Sequence, residues 1–224
     1  CLILSMQKVK SKARLLIKSV EGVTFEGKLG EDGNPLTVID LASVSYLPSG
    51  SSYNYNNVTF KNIQFKTWPK NSIYKGFQHS GNLLFEGCTF TGIHFSYGNE
   101  TYKKCKFIQE EVEYNMWVYG GTTVDYIDCT FEGKGKLLHV YNEGNPLITV
   151  NIQGCKFIST VLDKPAINIK GTCGTTILAY TVNIDNCTVS GAFPEINGGL
   201  WQVDKPATAE KNKITVNVKG KKVY

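Results

Sequence analysis

The sequence predicts an all-β chain wound as a solenoid, and three observations predict it. A six-residue phrase recurs along the chain at intervals of one solenoid turn. In nearly every copy Gly, Asn or Asp holds the same place, where a corner belongs. The 12 tyrosines, 11 phenylalanines and 22 glycines, against 7 prolines, favour short strands joined by many turns.

The phrase is apolar at its first, fourth and sixth positions. Its clear copies are Phe60–Phe65, Phe85–Phe90, Tyr102–Phe107, Tyr126–Phe131, Ile152–Phe157 and Ile184–Val189, with a fainter early copy at Val20–Phe25. The last residues of the clear copies fall 25, 17, 24, 26 and 32 apart. The fourth and sixth residues lie two apart, so in a strand both face the core. The first and fourth lie three apart and both point inward only if the chain bends between them. The third position supplies the bend: Asn62, Gly87, Lys104, Asp128, Gly154 and Asn186, with Gly22 in the faint copy. Gly, Asn and Asp enter the left-handed region at little cost, and Lys104 departs from the pattern. Stacked turns would repeat every ~4.8 Å, each strand pairing with its copies above and below.

A second strand is read after each phrase, at Gly92–Gly98, Met116–Gly120, Leu138–Asn142 and Ala166–Gly171. On these residues the chain resembles the right-handed parallel β-helix family, the pectate-lyase-like solenoids, and in particular the Cys/Asn-laddered repeats of bacterial surface proteins. The resemblance covers residues 15–191 and implies a right-handed parallel β-helix of about seven turns. Residues 1–14 are expected to be an N-terminal cap or a fragment edge, and 192–224 a C-terminal cap with a final strand at 214–218. Residues 32–56, rich in Gly, Pro, Ser, Tyr and Asn, read as a long excursion from an early turn. Cys1 stands where a lipid-modified start would, but Leu2-Ile3-Leu4 is not the polar tether such a start needs, so a fragment boundary is expected.

Composition narrows the function. At 42% apolar and 19% charged, 224 residues bury a core and form one domain or one elongated array. No apolar run approaches the roughly 18 residues of a membrane helix. The net charge is +5, yet Arg14 is the only arginine, and the lysines crowd the two ends (Lys8, Lys10 and Lys12; Lys211, Lys213, Lys219, Lys221 and Lys222). Nucleic-acid binding calls for a continuous basic track with interleaved aromatics, so it is not expected. Terminal charge instead discourages end-to-end stacking.

Five of the 7 cysteines (Cys88, Cys105, Cys129, Cys155 and Cys187) hold the same inward position. No paired Cys-x-x-Cys spacing exists, so a ladder of free, buried thiols is expected, not a metal site. Cys173 sits in a loop-like stretch.

The resemblance also raises the question of catalysis. A lyase of this kind needs clustered carboxylates for calcium and a basic group for the α-proton. The outward columns of the phrase read Lys61, Glu86, Lys103, Ile127, Gln153, Asp185 and Gln64, Thr89, Lys106, Thr130, Lys156, Thr188, and neither stacks carboxylates. The Asn-Thr-Asp, Asp-Asp, Gly-His-Gly and Arg-Ile-Lys signatures of polygalacturonases are absent. Glu110, Glu111 and Glu113 form an acidic cluster, and Asp125, Asp128, Asp163, His79, His94 and His139 are scattered candidates, each with a structural explanation at hand. No catalytic residue, metal ligand or cofactor is assigned. Asn57, Asn99 and Asn186 open glycosylation triplets that matter only in a eukaryotic secretory host.

Aligned on their closing Gly or Asn, the second-strand segments place Tyr97, Tyr119 and Tyr141 at equivalent positions, with Trp117 and His139 in the neighbouring column. Ile93-His94-Phe95 fits this register poorly. Pointing outward, these rings would form a stripe, beside Asn142, Glu143 and Asn168, on which a sugar chain or protein stacks; the alternative is an aromatic ladder that stabilises only itself. The expected protein is therefore a non-enzymatic bacterial module, extracellular or on the cell surface, adhesin-like or a spacer. It would bind polysaccharide or a host or cell-surface protein through Tyr97, Trp117, Tyr119, His139 and Tyr141. A polysaccharide lyase or glycoside hydrolase is the rival expectation.

Overall fold

The computed structural model describes residues 19–40, 54–67, 76–77, 81–120, 122–141, 147–171, 177–205 and 212–224. Their strands stack into a right-handed parallel β-helix whose turns run through sheets of nine, seven and five strands, the hand that parallel crossovers take. Successive turns of the nine-stranded sheet are Thr24–Glu26, Thr59–Lys61, Leu83–Glu86, Glu100–Lys103, Thr123–Ile127, Ile148–Gln153, Ala179–Asp185 and Lys213–Val218, closed by Lys221–Lys222. The seven-stranded sheet begins at Thr37–Asp40 and ends at Thr188–Gly191. The five-stranded third sheet holds His94–Ser96, Met116–Val118, Leu138–Val140, Ile167–Lys170 and Trp201–Asp204. No helix among the described residues is long and apolar enough to cross a membrane.

The phrase forms the corner between the first two sheets. Asn62, Gly87, Lys104, Asp128, Gly154 and Asn186 all have φ between 51° and 66°, a left-handed bend that turns the chain from one sheet into the next. Lys104, despite its side chain, adopts the same bend at φ 52°. Two corner glycines leave room for the corner before them: a Cβ on Gly87 would meet Asn62 Oδ1 at 2.8 Å, and one on Gly154 would collide with Asp128 Oδ1. The faint early copy lies elsewhere. Phe25 pairs with Phe60, which aligns Gly22 with Asn57 and Asn82, a separate left-handed corner that leads into the nine-stranded sheet.

The inward positions make two stacks of rings. Phe25, Phe60, Phe85, Tyr102 and Tyr126 lie nearly parallel at centroid steps of 5.3, 5.3, 4.9 and 5.1 Å. Phe65, Phe90, Phe107, Phe131 and Phe157 form the second, at 5.0, 5.0, 4.4 and 4.8 Å. The two meet edge to face, as at Phe60–Phe65 (84°), the arrangement that ring quadrupoles favour. Beside them, the five phrase cysteines are free. Each directs its Sγ at a main-chain carbonyl one turn back, as Cys129 does to Tyr102 O at 3.3 Å and Cys155 to Tyr126 O at 3.5 Å. Burial pushes the Cys105 thiol well above its ordinary pKa, which keeps it uncharged and unreactive. Cys1 and Cys173 lie outside the described residues.

The structure redraws two sequence boundaries. Inside the 32–56 segment, Thr37–Asp40 pairs with Ile63–Lys66 and Asn54–Asn56 pairs with Ser19–Glu21, so the described parts of that excursion are strands of the solenoid. Beyond residue 191, Trp201–Asp204 extends the third sheet and Lys213–Val218 the first. A hairpin then closes the chain. Lys219 (φ 50°) and Gly220 (φ 73°) supply two left-handed residues in succession where each phrase corner supplies one. Two such residues make a tight turn, so Lys221–Lys222 returns antiparallel and covers the sheet edge with lysines.

Candidate functional site

The third sheet sets the geometry of the aromatic residues. His94, Met116, Leu138 and Ile167 pair in one inward column, and Ser96, Val118, Val140 and Ile169 in the other. Between them, Phe95, Trp117, His139, Asn168 and Gln202 face outward in register. The segment that fits the sequence alignment poorly is thus in register after all. It is obscured because a histidine and a serine occupy core-facing positions that carry Met, Leu or Val on later turns. His94 is accommodated edge-on to Phe90 (5.0 Å, 85°), with Nε2 3.2 Å from Thr91 O.

Tyr97, Tyr119 and Tyr141 follow the strands and stand in a second column. Main-chain bonds hold them at the turn spacing: Tyr119 N donates to Ser96 O (3.0 Å) and Tyr141 N to Val118 O (2.8 Å). Their ring centroids are 5.7 and 5.8 Å apart. The columns touch throughout. Phe95 stacks on Trp117 at 5.3 Å and 15°, Trp117 meets His139 edge-on at 4.6 Å, and His139 lies parallel to Tyr141 at 5.6 Å. All five stripe residues are therefore gathered into one wall, with Phe95 added. Tyr97, Trp117, Tyr119 and Tyr141 are half-buried.

His139 has a different status from the other four. It is only 5% exposed, because Tyr114, a residue that no repeat pattern singles out, lies flat on it. Burial pulls its pKa down to about 3, so the ring is neutral in ordinary conditions. The wall ends in a polar row: Asn168 Nδ2 lies 3.1 Å from His139 Nδ1, and Gln202 Nε2 donates to Asn168 Oδ1 at 2.6 Å. Lys136 and Lys170 place their ammonium groups over Tyr114 and Tyr141, at 5.9 and 5.7 Å from the ring centroids. The Trp117 indole nitrogen is buried without a hydrogen-bond partner among the described residues. Asn142 and Glu143 lie outside them.

Of the scattered acid–base candidates, Asp163 and Glu113 lie within electrostatic reach of Tyr114, the ring that covers His139. Glu110 is exposed, and Glu113 Oε1 accepts the Tyr114 main-chain N–H at 2.8 Å. Asp125 belongs to a side-chain ladder, taking hydrogen bonds from Thr101 on the turn before (3.4 Å) and from Asn151 (2.7 Å), which takes one from Asn183 (2.7 Å), which takes one from Asn217 (2.8 Å). Asp128 occupies its corner at φ 53°. Asp163 is exposed, and His79 lies outside the described residues. Among the described residues, no three His, Cys, Asp or Glu side chains are grouped to hold a metal ion.

Fold and wall together define a parallel β-helix bearing an outward aromatic face on its third sheet. No known protein family matches the chain, and no curated protein matches it. The solved structure of trypsin-treated QnrB1, a plasmid-mediated fluoroquinolone resistance protein, aligns with 84% of this chain and 92% of its own at 9% identity and a TM-score of 0.17. Nothing is transferred from so distant an alignment.

Proposed function

We propose that this β-helix is a non-enzymatic module of the pectate-lyase-like solenoid type, bacterial and extracellular or on the cell surface, that holds a glycan chain against its third-sheet wall. One observation carries the reading: Tyr97, Trp117, Tyr119 and Tyr141 form a half-buried, two-column array of rings whose steps follow the turns of the solenoid. Ring faces take up the C–H faces of sugars, and the half-buried amide of Gln202, held in register by the buried Asn168, continues the array with a group suited to hydroxyls. A rigid parallel sheet keeps the rings in place before any ligand arrives, which lowers the ordering cost of binding.

The test is a glycan array probed with the purified protein and with a Trp117→Ala/Tyr141→Ala variant whose melting curve shows that it folds. Binding by the parent and loss in the variant supports the reading. Absence of binding to any glycan, or equal binding by the variant, overturns it.

A further inference from the structure

One inward column of the nine-stranded sheet reads Leu83, Glu100, Val124, Val150, Val182 and Val216 along successive turns. Glu100 is the exception, a carboxyl 2% exposed with Leu83 and Val124 on either side. Its place follows from the shortest turn. Only Tyr97, Gly98 and Asn99 join the third-sheet strand ending at Ser96 to the next strand beginning at Glu100. A corner so tight turns main-chain N–H groups inward, and a buried N–H needs an acceptor. Glu100 Oε1 accepts them from Tyr97 (3.2 Å) and Gly98 (3.4 Å), while Oε2 accepts the hydroxyl of Tyr102. The corner it holds carries the first tyrosine of the aromatic wall. The next turn rests on that corner: a Cβ on Gly120 would lie 2.7 Å from the Tyr97 carbonyl oxygen.

We propose that Glu100 is a proton-operated latch on the wall: ionised, it fastens the Tyr97–Gly98 corner through charge-assisted hydrogen bonds, and on taking a proton it slackens that corner. A carboxylate accepts such bonds with roughly twice the strength of a neutral acid. The latch works near neutral pH, since burial lifts the Glu100 pKa to about 7 against the pull of Tyr102, Ser96 and the two amides. Three buried titratable groups near it keep one state across that range. Tyr102 and Tyr126 hold their protons, since burial raises both. On the third-sheet strand, burial drops the His94 pKa to about 3, and its neighbour Ser96 does not titrate. A ligand that needs Tyr97 in place would bind more tightly above this transition than below it, a consequence that rests on the glycan-binding reading, whereas the latch itself does not.

The test therefore uses the unliganded protein. Amide proton–nitrogen spectra are recorded from pH 5 to 9 for the parent, Glu100→Gln and Tyr102→Phe. In the parent, the Tyr97 and Gly98 resonances are expected to follow one titration with a midpoint near neutrality. The titration should vanish in Glu100→Gln, and its midpoint should rise in Tyr102→Phe, which loses a donor to the carboxylate. Flat Tyr97 and Gly98 resonances in the parent, or an unchanged titration in Glu100→Gln, would overturn the latch whatever the glycan array shows.

Discussion

The ring of Tyr114 lies flat on that of His139, with centroids 4.3 Å apart and planes 16° from parallel. This contact buries His139, whereas Tyr97, Trp117, Tyr119 and Tyr141 stay half-exposed. Tyr114→Ala should let water reach the imidazole and raise the His139 pKa from about 3 toward the ordinary 6.5, because burial is the main force holding it down. A histidine titration followed by NMR reads the change. A midpoint still near 3 in the variant would mean that the cover comes from elsewhere.

Stability should depend on pH with a maximum close to neutrality. Folded, His94 and His139 have pKa values near 3, against 6.5 when exposed, so the stability they permit is full above pH 6.5 and is lost as the pH falls toward 3. Glu100 runs the opposite way. Its folded pKa of about 7 exceeds the ordinary 4.5, so its share is full below 4.5 and is lost as the pH rises through 7. Two histidines against one glutamate leave a net gain from pH 4.5 to 6.5, then a decline. A tenfold change in proton affinity on folding corresponds to ~1.4 kcal/mol, so the histidine effect is on the order of several kcal/mol. Urea midpoints should rise from pH 4.5 to 6.5, fall slightly up to pH 7 and level off above it, and a protein more stable at pH 4.5 than at 6.5 would contradict the assignment.

Lys104 is the one residue of the phrase corner that is not Gly, Asn or Asp, and it holds φ 52° on the surface. A left-handed conformation costs an ordinary side chain roughly 1–2 kcal/mol, and Asn recovers part of that. Lys104→Asn should therefore raise stability by about 0.5–1 kcal/mol. Thermal or urea melts would reveal it, and a loss would show that the lysine makes a compensating contact.

The thiol ladder should be graded from centre to end. Cys129 is fully buried and Cys187 only partly. Cys129→Ala removes an atom the size of a methylene and leaves a small void, at a cost of about 1–1.5 kcal/mol. Cys187→Ala should cost less than half as much. Equal losses in paired denaturation curves would refute an interior packing role.

The Asn ladder gives a further comparison. Asn183 donates to Asn151 and accepts from Asn217 on a half-exposed face. Asn183→Ala breaks both bonds where water can partly replace them, so a loss of about 1 kcal/mol is expected. A neutral outcome in a urea titration would mean that water replaces them fully.

Much of this architecture is legible in the chain because a solenoid repeats its local chemistry. The apolar residues at the first, fourth and sixth phrase positions, with a left-handed residue between the first two, imply two strands and a corner wherever they recur, as at Tyr126–Phe131. The tyrosine column is readable for the same reason, since Tyr97, Tyr119 and Tyr141 each stand one place before a closing Gly or Asn. The rest depends on what stacking brings together. Phe95 joins Trp117 only through a register that His94 and Ser96 disguise. Tyr114 covers His139 from a connection outside the repeat, and Glu100 meets Tyr97 through the shortness of a single turn. Periodicity tells which way a strand residue faces, because that is a local property of the backbone. Burial on the outer face, and the charge of a carboxyl inside, depend on residues from other turns and connections, and only the assembled turns decide them.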